Sequence, residues 1–495
     1  NTGNQSIHID AAATFTGNIA DGDDGGAIYI ETHAGNNTGN QYIHIVGDTD
    51  FTDNIAGDNG GAIYMYSDAD DGDTGNQRIY IGGDATFEGN EAGAYGSFGG
   101  AIYMRSEADD GNTDDQIIII DGDATFTDNS AVRSGGAIVM GSYAFDDTGD
   151  QSIYIDGKAT FTDNVASYGE GGAILMFSAV DHGYTGEQSI QILDDATFTS
   201  NTAGYNGGAI FMYSDADIGN AGEQSIYIEG NATFVGNQAF GGTTYYGHYY
   251  SGDYGNGGAI FMYSGANDGD SVANVGHTGD QTIDIGGDAT FRNNISEGDD
   301  GGAIYIETHS DHGNSGYQII DIGGNATFED NEAGDNGGAI YMFSEAYYGD
   351  TGNQSIYIGG DATFTDNITA GYSEGDGNGG AIYMQSDAYY GYTGYQRIDI
   401  GGNATFEGNT AAGYSEGAGN GGAIFMFSES GLDDTGNQSI YIDGDATFTD
   451  NTASDNGGAI YIETHAKSKT GNQYIHIVGD TDFTDNIASD NGGAI

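Results

Sequence analysis

The chain has 495 residues, with 76 Asp and Glu against 8 Lys and Arg (a formal charge of −68), 90 Gly, and no Pro, Cys or Trp. So few cations set aside nucleic acid, whose phosphates need Lys and Arg, and anionic membrane surfaces. The lack of Cys removes disulfides, thiol catalysis and Cys-based metal or haem sites, and no run of 18 apolar residues is present to cross a bilayer as a helix.

In chain order, Gln5-Ser6-Ile7-His8-Ile9 alternates with period two, the pattern of a strand. A second short alternating run leads into Phe15-x-x-Asn18, and Gly25-Gly26-Ala27-Ile28 opens a third. The same trio occurs thirteen times in all, ending with Gln473 to Ile477, Phe483 to Asn486 and Gly492 to Ile495. Seven of the twelve steps between successive Gly-Gly-Ala alanines are 35 or 36 residues, and the longest, Ala209 to Ala259, is 50. A period in this range means a repeat architecture in which each unit buries its apolar face against its neighbours. Gly-rich disorder is disfavoured, because apolar residues hold fixed positions in every unit.

The stretch from Gln77 to Met104 shows one full unit. Gln77 to Ile81, Ala85 to Glu88 and Ala101 to Met104 read as strands, and Gly or Asn residues break the chain between them. The expected fold is all-β: a right-handed parallel β-helix (solenoid) of about 13 coils of three short strands, one coil per ~36-residue repeat and roughly 60 Å long at the usual strand spacing. Helical repeats would need a 3.6-residue pattern and far less Gly. A closed propeller rarely exceeds eight blades.

Parity names the inside. All nine methionines, from Met65 to Met426, hold one register, and Ile30, Ile306 and Ile462 take it in other units. Ile stands two positions earlier each time, so Ile and Met face inward, where Met fills gaps. The residues between, Tyr29, Tyr64, Tyr103, Phe211, Phe261 and Tyr305 among them, are expected outside as a stacked row. Phe87 and its equivalents face in. Gln5, Gln41 and Gln77 with their fellows, and Asn18, Asn54 and Asn90 with theirs, are placed to form amide ladders that donate to one coil and accept from another.

With Phe-x-x-Asn and Gly-Gly-Ala-Ile in thirteen paired copies, the chain resembles the passenger repeats of the chlamydial polymorphic membrane proteins. The resemblance implies a β-helical passenger of the autotransporter class, surface-exposed and adhesive. Family members are Cys-rich and end in a membrane β-barrel; neither feature occurs within these 495 residues.

The repeat runs from end to end, so 1–495 is expected to be one continuous β-helix domain, an excerpt of a longer chain. Units differ mainly between Asn and Gly-Gly, most of all in the long corner-loop insertion at 238–256. Residues 38–63 match 470–495 at an offset of 432 with one difference, Gly57 against Ser489, which suggests larger modules copied in series.

Acidic residues crowd the turns, and rows of stacked carboxylates repel unless cations bind. Hard cations with oxygen ligands fit, Ca2+ above all; Asp68, Asp70, Asp71, Asp73, Asp121 and Asp123 are the candidate ligands. A Glu31–His33 pair is a weaker metal candidate. Tyr245, Tyr246, Tyr249 and Tyr250, in the long insertion, form a candidate assembly surface, since Tyr offers large amphipathic area at low entropic cost.

No coil stands out as a reaction centre: carboxylates are periodic, and the five Arg are dispersed. The expectation is a non-enzymatic extracellular or cell-surface protein, a rigid acidic rod in a fibre, sheath or giant adhesin. Its partners would be further copies, end-to-end or lateral, or cell-surface and glycan ligands. A polysaccharide lyase or hydrolase is the alternative, since β-helices host both; it would need a unique carboxylate pair or a Ca2+ site with a basic residue. The outward Thr-x-Thr pairs, such as Thr125/Thr127, keep an ice-binding solenoid as a lesser alternative.

Overall fold

The structure, a computed structural model, describes residues 2–93, 96–241, 255–267, 276–371, 377–413 and 418–495. It is a parallel β-solenoid of about thirteen turns, and the described residues include no helix. The residues group into two compact units. One comprises 1–204, 209–230 and 264–276; the other comprises 205–208, 231–263 and 277–495.

The first turn supplies the pattern: β1 (Gln5–Ile9), β2 (Ala13–Thr16), β3 (Ile19–Ala20) and β4 (Ile28–Ala34). In the first unit each strand pairs in parallel with its equivalent one turn on, so β1 meets Gln41–Ile45 and β4 meets Ile63–Ala69 in register. The second unit repeats the scheme, with Gln281–Ile285 on Gln318–Ile322 and Ile304–Ser310 on Ile340–Ala346. Three of the four strands are those the sequence indicates. The fourth, two-residue β3, has no sequence signal, because two residues are too few to show a period.

Parity holds inside both units. All nine methionines and the Ile two positions before each are fully buried. Phe51 to Phe198 in one unit, and Phe234 to Phe448 in the other, form face-to-face columns with centroids 4.7–4.8 Å apart. Each such ring contributes roughly 1.5–3 kcal/mol by leaving water. Phe234 stacks on Phe291 at the same 4.8 Å although 57 positions separate them, so the long insertion between them leaves the stack undisturbed.

Both amide ladders form. Gln77 Nε2 donates to Gln41 Oε1 at 3.0 Å and to the Arg105 carbonyl at 2.9 Å, tying the β1 sheet to the β4 sheet. Asn90 Nδ2 donates to Asn129 Oδ1 and to the Phe51 carbonyl, both at 2.9 Å. A third inner column, of hydroxyls, had no sequence signal beyond parity: Thr148 meets Ser178, and Thr185 meets Ser214, both at 2.5 Å.

The expected outward row of Tyr and Phe needs a correction. Tyr29, in the first turn, is 46% exposed, but Tyr64, Tyr103, Phe211, Phe261 and Tyr305 are buried. They leave the interior as parity requires, and at Tyr103 a residue of the corner loop before Gly-Gly covers the ring. Phe98 of that loop packs on Tyr103 with ring centroids 6.0 Å apart.

Candidate functional site: carboxylate columns and an exposed aromatic row

A set of turn carboxylates has a structural role that their charge concealed. Asp84 N donates to Asp48 Oδ1 at 3.1 Å, Asp123 N to Asp84 Oδ1 at 2.9 Å, and Lys158 N to Asp123 Oδ1 at 2.9 Å. In the second unit the same column runs Asn325 to Asp288, Asp361 to Asn325 and Asn403 to Asp361, at 2.7–2.8 Å. Asp and Asn alternate freely because each needs only a side-chain oxygen that accepts a backbone N–H from the next turn. That interchange of Asp and Asn is the legible signal in the sequence.

Of the six candidate metal ligands, Asp68 and Asp70 are the two that fall in one group among the described residues. Asp73 Oδ1 accepts from Asn112 N at 3.0 Å, Asp121 accepts from the Tyr80 hydroxyl, and Asp123 serves its column; Asp71 is exposed. Asp68 and Asp70 do come together, on His33. Asp68 Oδ2 lies 2.7 Å from His33 Nδ1, Asp70 Oδ1 lies 3.8 Å from Nε2, and one ligand atom from each of the three falls within 4.8 Å of the others. Burial raises the Asp68 carboxyl above its usual range, against the pull of His33. The Glu31–His33 pair is not what forms: Glu31 accepts from the Tyr29 hydroxyl, and His33 turns to the acid one turn on. Asp23, Asp24 and Asp58 make a second acidic group, in which Asp24 Oδ1 accepts from Asn59 N at 2.7 Å. Tyr245, Tyr246, Tyr249 and Tyr250 lie outside the described residues.

In the second unit one outward column of the β4 sheet runs His309, Glu345, Asp387, Glu429, His465. His309 Nδ1 meets Glu345 Oε2 at 3.0 Å. That hydrogen bond, with the charges of Glu345, Asp311 and Glu307, raises the imidazole to about 9 against the opposing effect of burial. Asp387 accepts from Gln385 Nε2 at 2.6 Å. Burial pushes its carboxyl up to about 7, with Glu345 and Glu429 adding repulsion and Gln385 lowering it.

Just beyond this column lies an aromatic row that the sequence analysis did not single out. Tyr347 stacks on Tyr389 at 4.9 Å, Tyr348 on Tyr390 at 4.7 Å, and His312 on Tyr348 at 4.4 Å. All four tyrosines are substantially exposed. The signal was the Ala-Tyr-Tyr-Gly that follows the long strand in two consecutive turns.

Nine segments of the chain match the model of the Chlamydia polymorphic membrane protein repeat: 12–31, 48–65, 123–139, 195–212, 288–307, 325–342, 361–385, 403–426 and 445–463. The chain carries nine repeats of the polymorphic-membrane-protein type. No curated protein and no solved structure matches it. Each matched polymorphic-membrane-protein repeat covers the Phe strand, the Asn ladder, the corner loop, Gly-Gly-Ala-Ile and the start of the long strand. These are the parts that build the Phe column and close the corner. The Gln strand and the Tyr-bearing turn lie outside the matched segments. No helix among the described residues is long and apolar enough to cross a membrane.

Proposed function

We propose that this chain is a non-enzymatic, surface-displayed structural and adhesive array. The observation that carries the reading is the matching of nine segments to the polymorphic membrane protein repeat. Two features support it. Hydrogen-bonding groups along the turns are spent on turn-to-turn ladders, and what differs between turns is the outer decoration: loops, tyrosines and acids. A solenoid of this kind presents an extended surface in place of one cleft.

Assembly with further copies belongs to the same reading, with divalent cations or salt offsetting the charge of −68. External protease on intact source cells should remove the chain, and protection from it overturns surface display. Incubation with neutral and acidic polysaccharides should give no turnover; reproducible cleavage favours the lyase or hydrolase alternative. Particle size in Ca2+, in chelator and in dilute buffer tests assembly, and a monomer under all three conditions excludes it.

A further inference from the structure

The double row of tyrosines stops at one residue. The turn segment after the long strand places Asp311, Tyr347, Tyr389, Gly431 and Lys467 at equivalent positions, with His312, Tyr348, Tyr390 and Leu432 beside them. Backbone bonds fix this alignment: Tyr389 N donates to the Ala346 carbonyl, and Gly431 N to the Ala388 carbonyl, both at 2.9 Å. Tyr389 has Tyr347 on one face, 4.9 Å away and 13° from parallel. On its other face the next rung is Gly431, which has no side chain. A rung is missing, and a pocket of about 410 Å³ stands in its place. That volume falls within the roughly 300–1,000 Å³ typical of small-molecule clefts.

The walls specify a ligand. Tyr389 offers the open face of a ring, and Tyr390 and Leu432 extend the apolar side. Glu429 and His465 add polar lining, and Lys467 stands on the next rung. Lys467 is one of only three Lys in the chain. Neither Glu429 nor Lys467 is in an ion pair among the described residues. His465 is held by Glu463 at 2.9 Å and by the edge of Phe427.

We propose that this pocket binds one neutral hexopyranose ring of a glycan. A pyranose has an apolar C–H face to lie on Tyr389, and its thickness suits the single missing rung. Its rim of hydroxyls donates to the Glu429 carboxylate and accepts from the Lys467 ammonium. An aromatic side chain from a second copy would fill the rung too, but it would strip water from Glu429 and Lys467 without returning hydrogen bonds, which is costly. A second copy, or a polyanionic sugar, also meets the repulsion of a chain at −68; a neutral sugar meets neither obstacle. The inference gives a ligand class to the adhesive reading and rests on it only for its biological use.

The test is saturation-transfer NMR of the full chain with methyl glucoside, galactoside, mannoside and glucuronide, with circular dichroism confirming the fold of each variant. At least one neutral glycoside should bind saturably. Tyr389→Phe, which keeps the ring, should retain that binding, and Tyr389→Ala should weaken it by about five- to tenfold, the worth of one ring contact. Lys467→Ala should weaken it as well, and Tyr168→Ala, at an exposed tyrosine of the first unit, should leave it unchanged. The site is refuted if no neutral glycoside binds, if Tyr389→Ala binds as the parent does, or if only the glucuronide binds. If chain-coated beads adhere to cells while no glycoside binds, the site falls and the adhesive reading stands.

Discussion

Asn331 illustrates how a single residue holds two turns. Its Nδ2 donates to the Phe291 carbonyl at 3.0 Å and to Asn367 Oδ1 at 2.9 Å, and its Oδ1 accepts from Asn294 Nδ2 at 3.0 Å. Asn331→Ala leaves several buried groups without partners and should cost about 2–4 kcal/mol. Asn331→Asp keeps the size but loses the donors and adds a buried charge, so it should cost more. Urea unfolding with hydrogen exchange at this turn measures both.

Two titrations act in the same direction. The Asp387 carboxyl sits at about 7 in the folded chain against an ordinary 3.8, so the native state binds the extra proton between those values. Stability should fall as pH rises across that window. Asp387→Asn, which keeps an oxygen for Gln385, should remove the slope and leave the protein more stable than the parent above pH 7. His309 sits at about 9 against 6.5, so its contribution is complete below 6.5 and is lost as pH rises through 9. The gap between the parent and His309→Gln should close over that range in thermal melts.

At the scale of one element, the corner after the Phe strand depends on a left-handed residue. The position before each ladder Asn has φ between 52° and 66° in every turn, and Asp, Gly, Ser or Asn fills it. These types tolerate that conformation; a β-branched residue does not. Asp330→Gly should be near neutral, whereas Asp330→Val should destabilise by about 1–2 kcal/mol. The Gly-Gly corner has a different cause. A Cβ on Gly338 would run into the Gly380 carbonyl oxygen and the Ile368 backbone of the neighbouring turn. Gly338→Ala should therefore disrupt two turns. Gly35→Ala, whose nearest neighbour is Asp70 Oδ2 at 4.0 Å, should change the melting temperature little.

For the whole molecule, stability is a sum over turns and their interfaces. Deleting residues 326–361, one complete turn of the second unit, joins equivalent positions and should leave a folded β protein. Loss of the β signal by circular dichroism would contradict a nearest-neighbour solenoid. The net charge of −68 acts across the chain. Raising salt from about 0.01 M to 0.15 M shortens the screening length from about 30 Å to about 8 Å, so the melting temperature should rise. An unchanged melting temperature would contradict the view that repulsion among the acids limits stability.

The repeat, the strands and the inward face were legible in the sequence because period and parity are local properties of the chain. Ile, Met and Phe recur at fixed offsets, and stacking in register follows from that recurrence. Gln and Asn were readable as ladders for the same reason: identical residues placed one above another donate and accept in turn. Tertiary structure decided what lies beyond one turn. Tyr103 points outward by parity yet is buried, because a loop's path over a strand is not encoded in alternation. Asp123, a candidate cation ligand by its charge, also accepts a backbone N–H from the next turn, which no local pattern shows because its partner, Lys158 N, is 35 positions away. Only stacking showed that Gly431 falls beneath Tyr389, turning an ordinary glycine into the missing rung that opens the pocket.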